Sequence, residues 1–294
     1  MDSQDQTIMT GNGREIQIRQ AGDPDGIHVL VYHGTPGSRL LGQNWIEDAV
    51  SKGIQLIGYD RPGYGGSSPN SDRSVADAAD DLAAITKALD LDRLAVWGHS
   101  GGGPHALACA ALQPELVFAA VSMASPAPYE AEGIAWFDGM GESNIEEFGA
   151  ALKSREALEA FVEADAPGML SADPDMLLEG LRSLLSPVDA EVLTGDFVVN
   201  LINNIREGIL QRRDGWIDDD IAFIKPWGFD LSEIQIPVML MHGVQDRFVS
   251  ASHGKWLAKQ IPGVDSRILP DDGHITLVVN RVPEVHSWLL SNMP

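Results

Sequence analysis

Apolar and polar residues follow two different periods along this chain. Over 14–19, REIQIR, they alternate one by one, as in a strand with one buried face. At 27–32 (IHVLVY), 54–59 (IQLIGY), 94–99 (LAVWGH) and 118–124 (FAAVSMA) they form short apolar runs bounded by glycine or polar residues, as in inner strands covered on both faces. Segment 74–90, SVADAADDLAAITKALD, changes to a helical period. Val75, Ala79, Leu82, Ile85 and Leu89 fall on one face, and Ser74 stands where a cap belongs. A further helix is expected over 102–113. Strands alternating with helices predict a mostly parallel sheet flanked by helices, an α/β fold.

The rhythm breaks after Ser125. From 126 to 230 strand signals are few, and segments 144–164 and 187–214 both show helical spacing. The α/β pattern resumes with PVMLMHG (237–243), a helix near 252–261, the strand SRILP (266–270) and a terminal helix near 276–290. The expected organisation is a core domain built from 1–125 and 231–294, interrupted by a helical cap or lid at 126–230. No internal repeat or low-complexity segment is present.

Composition narrows the partners. Of 294 residues, 43 are acidic and 20 basic, a net charge of -23 that repels nucleic acid and anionic lipid; its ordinary consequence is solubility. With 44% hydrophobic residues the chain can bury a core. The single cysteine, Cys109, cannot form an internal disulfide, and its apolar setting, HALACAAL, predicts a packing role. The N-terminal segment lacks the apolar centre of a signal peptide, and the longest central apolar run, LVFAAVSMA, is too short to span a bilayer. The expectation is a cytoplasmic protein with a small-molecule substrate, no nucleic-acid partner and no membrane partner. Its oligomeric state is not indicated.

The chemistry concentrates at WGHSGGGPH, 97–105. G-x-S-x-G between a strand and a helix forms a sharp turn that lifts a serine hydroxyl above the sheet. Ser100 is then a candidate nucleophile, and the Gly101 N–H can face a developing oxyanion. Five such residues alone also suit a plain glycine-rich turn. A phosphate loop is a poor rival, because no Gly-Lys-Ser/Thr follows. A serine nucleophile needs a base, and the base an orienting acid, in the order Ser, Asp, His for this architecture. Asp246 follows the strand at 237–243, and His274 follows the strand at 266–270. Singly, Asp246 reads better as a solvated loop carboxylate, and His274 reads equally as a surface-turn histidine; in this order, each after a strand, they read as a triad. Asp271 and Asp272 are turn residues and fallback acids. HGTPGS (33–38) follows a strand and offers Thr35 N–H as the second oxyanion donor; alone it would read as a Gly-Pro turn.

The motifs HGTPGS, YDRPGYGGS (59–67), GHSGGG (98–103), HGVQDRFV (242–249) and DGHI (272–275), in this order, resemble those of the α/β-hydrolase fold superfamily over nearly the whole chain. The resemblance implies Ser100 as nucleophile, Asp246 as acid, His274 as base, Thr35 at the first oxyanion element, and a helical cap. DRPGYGGS is similar to a motif of dehalogenases and epoxide hydrolases, but those enzymes carry aspartate where this chain has Ser100. HGTPG and DRPG depart from the equivalent runs of proline iminopeptidases.

Other residues have plainer readings. Asp60 is expected to hold its turn through a backbone or arginine contact. His33 and His99 are expected to pack beside the oxyanion loop and the elbow. The remaining histidines show no metal-ligand spacing, and neither a metal nor an organic cofactor is expected. Asp218, Asp219 and Asp220 are expected in a solvated turn. Trp136, Phe137, Met140 and Trp216 are candidates for the substrate pocket, with Phe148 and Met169 beside them, though each also suits cap core. The leading function is a serine hydrolase acting on an ester, thioester or amide of a small, largely apolar molecule. The alternatives are an acyl transferase, lyase or perhydrolase on the same triad, a receptor-like binding protein, and a proline-iminopeptidase-like peptidase.

Overall fold

The computed structural model describes residues 3–294. Eight strands form one sheet: β1 (Gln4–Met9), β2 (Glu15–Gly22), β3 (Ile27–Tyr32), β4 (Ile54–Tyr59), β5 (Leu94–His99), β6 (Val117–Met123), β7 (Val238–Gly243) and β8 (Asp265–Leu269). Their order is β1-β2-β4-β3-β5-β6-β7-β8. The first two strands are antiparallel, and β4 through β8 run parallel. The inner strands read from the sequence fall where expected. β1 does not announce itself, because in QDQTIM only Ile8 is buried. Its ladder with β2 holds it, and an edge strand needs little apolar surface.

The pleat separates the apolar runs into two faces. Leu30, Tyr32, Ile57, Tyr59, Leu94 and Val96 lie on one side. Helices α2 (Ala78–Ala88) and α3 (Gly102–Leu112) cover that side through Leu82, Ile85 and Leu107. Val29, Val31, Ile54, Leu56, Ala95 and Trp97 lie on the other. There α1 (Gln43–Ser51) contributes Ile46 and Ala49. Cys109 is buried in the first cluster, its sulfur 2.8 Å from the Tyr32 hydroxyl. Asp77 accepts from both the N–H and the hydroxyl of Ser74, so the expected cap before α2 forms, on a short 3-10 turn.

Between β6 and β7 the chain is helical: α4 (Glu142–Lys153), α5 (Arg155–Ser171), α6 (Pro174–Gly180), α7 (Pro187–Val192), α8 (Gly195–Ile209) and α9 (Asp214–Ile224). The helical segments expected over 144–164 and 187–214 are each broken. Ser154 is extended, ends α4, and caps α5 by accepting the Ala157 N–H. The second segment breaks before α8 and again before α9.

After β7 come α10 (Ala251–Gln260), β8, α11 (Ile275–Asn280) and α12 (Val282–Ser291). The expected terminal helix is therefore two. Pro283 sits in the first turn of α12, where its missing N–H costs nothing, and cannot continue α11. Among the described residues no helix is long and apolar enough to cross a membrane.

Candidate active site

The β5–α3 turn places Ser100 in a left-handed conformation, φ 55°. A non-glycine residue there is strained, and such strain persists only where surroundings enforce it. Here the Ser100 N–H donates to Met123 O (2.8 Å), and Gly103 N–H donates to Ser100 O (2.9 Å). The neighbouring glycines are demanded by space. A Cβ on Gly98 would overlap the Gly102 carbonyl, and one on Gly102 would overlap the Tyr32 carbonyl.

Asp246 leaves the carboxyl end of β7 and is buried. Its Oδ1 accepts the N–H groups of Phe248 (2.8 Å) and Val249 (2.9 Å). Its Oδ2 lies 2.8 Å from Nδ1 of His274. Burial alone would raise the Asp246 pKa, but the facing His274, with His242 and the backbone donors, leaves it lowered, so the carboxylate stays ionised. Asp246 therefore fixes the His274 tautomer with the proton on Nδ1 and leaves Nε2 to exchange a proton. The His274 ring is sandwiched, stacked on Phe248 (centroids 4.4 Å apart) and tilted against His99 (4.5 Å). His99, expected only to pack, also contacts the backbone: its Nε2 is 3.0 Å from His274 O. Burial, with His274 adding to it, lowers the His99 pKa to about 3, so this ring is neutral and donates. Among the described residues no hydrogen bond joins Ser100 Oγ to His274, although both face the same cavity. Such contacts tighten when substrate fills a site.

Thr35 and Gly101 meet at the cavity that Ser100 lines: a Cβ on Gly101 would overlap the Thr35 hydroxyl. Neither backbone N–H has an acceptor among the described residues, so both are free for an oxyanion. What holds this loop was not legible in the sequence. Thr35 Oγ1 donates to Asp219 Oδ2 (2.9 Å) and accepts from Arg61 Nη2 (3.0 Å). Asp219 also binds Arg61 (2.5 Å), Arg73 (2.7 Å) and the Tyr64 hydroxyl (2.8 Å), all buried. Burial works against its charge, but the two guanidinium groups outweigh that and hold Asp219 ionised.

Asp218, Asp219 and Asp220 thus correct the expected solvated turn. They lie on α9 and are 2%, 0% and 1% exposed. Asp218 pairs with Arg155 (2.8 Å) and Asp219 with Arg61 and Arg73, while Asp220 meets Glu147. The flanking Trp216, Ile217, Ile221 and Phe223 carry the helical signal that could have revealed this. A second missed residue is Asp189 on α7. Its carboxylate accepts the N–H groups of His274 (3.0 Å), Ile275 (2.7 Å) and Thr276 (3.0 Å).

Other expectations resolve directly. Asp60 holds its turn through Arg39 (2.9 Å) and Gly66 N–H (3.1 Å). His33 packs beside the loop, its Nε2 accepting from Arg61 N–H. Asp272 is taken by Arg281 (2.7 Å), while Asp271 is exposed, so neither stands in for Asp246. Trp136, Met140, Phe148, Met169 and Trp216 line a cavity of about 800 Å³. Phe137 is not on its wall; it packs on Trp136 (5.1 Å) and Tyr129 (6.2 Å).

Known proteins share this arrangement of strands and turns. The chain is 29% identical over 245 residues to a non-heme chloroperoxidase of Streptomyces lividans, covering 83% of each chain. It is 26% identical over 259 residues to a 2-hydroxy-6-oxononadienedioate/2-hydroxy-6-oxononatrienedioate hydrolase of Cupriavidus pinatubonensis, covering 84% of this chain and 80% of the other. A thermophilic esterase from Thermogutta terrifontis superposes with a TM-score of 0.72 at 19% identity, covering 99% of this chain and 100% of that one. The sequence profile of the alpha/beta hydrolase fold matches residues 27–280, and the chain belongs to that family.

Proposed function

We propose that this chain is a serine hydrolase that cleaves an ester, or less readily a thioester or amide, of a small and largely apolar molecule. The observation that carries this reading is the 2.8 Å contact between Asp246 and His274, beside a strained Ser100 on the wall of the same cavity. His274 Nε2 takes the Ser100 proton as the oxygen attacks the carbonyl carbon, and Asp246 stabilises the imidazolium. The N–H groups of Thr35 and Gly101 hold the oxyanion, at about 3 kcal/mol per donor. The imidazolium then protonates the departing alcohol. Water, deprotonated by His274, cleaves the acyl-enzyme and returns the serine. The segment between β6 and β7 acts as the cap, lending Trp136, Met140 and Trp216 to the acyl pocket.

The test is turnover of nitrophenyl esters of rising chain length by wild type, Ser100→Ala, His274→Ala and Asp246→Asn. Each variant should lower kcat by about 10³-fold or more with the fold intact. Variants as active as wild type would refute the reading. The similarity to a chloroperoxidase supports a second outcome, in which hydrogen peroxide takes the acyl group from Ser100 and leaves as a peracid. Peracid formed from an ester and peroxide, and lost in Ser100→Ala, would identify it.

A further inference from the structure

Glu147 on α4 and Asp220 on α9 meet at the cavity wall, and no step above uses them. Glu147 is half-buried and lines the cavity. The indole N–H of Trp216 donates to Glu147 Oε1. Asp220 is 1% exposed, and its Oδ2 has no donor among the described residues.

The nearby cations are engaged elsewhere: Arg61 and Arg73 bind Asp219, and Arg155 binds Asp218. Burial raises the pKa of both carboxyl groups, and their proximity raises that of Asp220 further. A carboxyl as buried as Asp220 is costly without a countercharge, and such groups are retained where something pairs with them. A ligand ammonium would supply a positive charge and three N–H donors to these two carboxyls. Trp216, Phe148 and Phe161 line the same cavity and offer aromatic faces to a cation.

We propose that Glu147 and Asp220 form a subsite for a protonated amine, so that the preferred acyl group is an apolar chain ending in an ammonium. This rests on reading the cavity as the acyl pocket of Ser100.

The experiment compares kcat/KM for nitrophenyl ω-aminoalkanoates and for alkanoates of equal length, over a rising series, corrected for spontaneous loss. Wild type should prefer the amino ester by about 10-fold or more at a length that spans the pocket, as one hydrogen bond to a charged group contributes. Glu147→Gln and Asp220→Asn, each checked for folding by thermal unfolding, should bring that ratio close to one. No preference in wild type at any length, or a preference surviving both substitutions, overturns the proposal. An alkylammonium ion should also inhibit wild type competitively far better than the alcohol of equal length, a readout that needs no variant. Equal inhibition overturns it. If neither ester series is turned over, the hydrolase reading has failed. Calorimetric binding of alkylammonium to wild type, absent in Glu147→Gln, would still support the subsite, and no binding would overturn it.

Discussion

The Asp189 carboxylate accepts the backbone N–H of His274 at 3.0 Å, across 85 residues of chain. With Ile275 and Thr276 as further donors, it satisfies the first turn of α11, where a negative charge also suits the helix dipole. The segment between β6 and β7 therefore fixes the backbone that carries the proposed base. Asp189→Ala would leave three buried N–H groups without an acceptor. The expected loss is about 3 kcal/mol of stability, with a fall in kcat of about 10-fold or more. Urea unfolding and ester turnover measure the two; wild-type values for both would show that Asp189 does not position His274.

Ser100 carries a second prediction, through its backbone. Its φ of 55° is disfavoured for a side chain by about 1 kcal/mol and is free for glycine. Ser100→Gly should unfold about 1–2 °C above Ser100→Ala while abolishing turnover. Ser100→Ala should abolish turnover as well. An unfolding temperature in Ser100→Gly at or below that of Ser100→Ala would show that the turn is not strained.

Asp219 neutralises two buried arginines behind the oxyanion loop. Replacing it with asparagine removes the countercharge and leaves Arg61 and Arg73 unpaired. A loss of about 3–5 kcal/mol is expected by denaturant unfolding. Because Thr35 would then donate to a neutral amide oxygen instead of a carboxylate, kcat should fall more than KM rises. A fully stable and active Asp219→Asn would contradict the role given to this network.

Buried neutral histidines set the acid sensitivity. Burial lowers the pKa of His99 and His105 to about 3, and that of His253 to about 4. Unfolded, each titrates near 6.5. Between these values the unfolded chain binds more protons, so stability is full above about pH 6.5 and falls as pH drops towards 4. Each histidine contributes up to about 1.4 kcal/mol per pH unit in that window. His253 is the cleanest probe: Ala127 N–H donates to its Nδ1, and its Nε2 lies 2.8 Å from Trp136 O, a pairing that requires the neutral ring. His253→Gln should flatten the slope of unfolding free energy between pH 6 and 4.5 by about 1 kcal/mol per unit. An unchanged slope would count against it.

The sequence made the elbow legible because its glycines answer to sterics within a few residues, as at Gly98 and Gly102. β3, β4 and β5 were legible because both of their faces are buried. β1 was not, because backbone pairing rather than apolar surface holds it. Asp189 and Asp218–Asp220 were misread or passed over for another reason. A carboxylate is solvated by default, and only partners remote in sequence, such as Arg61, 158 residues from Asp219, reverse that.

The central claim is that Ser100 is an activated nucleophile. The most direct measurement is labelling with a fluorophosphonate, which phosphonylates activated serines, followed by peptide mapping. The account predicts a single adduct on Ser100, absent in Ser100→Ala and formed far more slowly in His274→Ala. A folded wild-type protein that stays unlabelled, or a label that persists in Ser100→Ala, would contradict it.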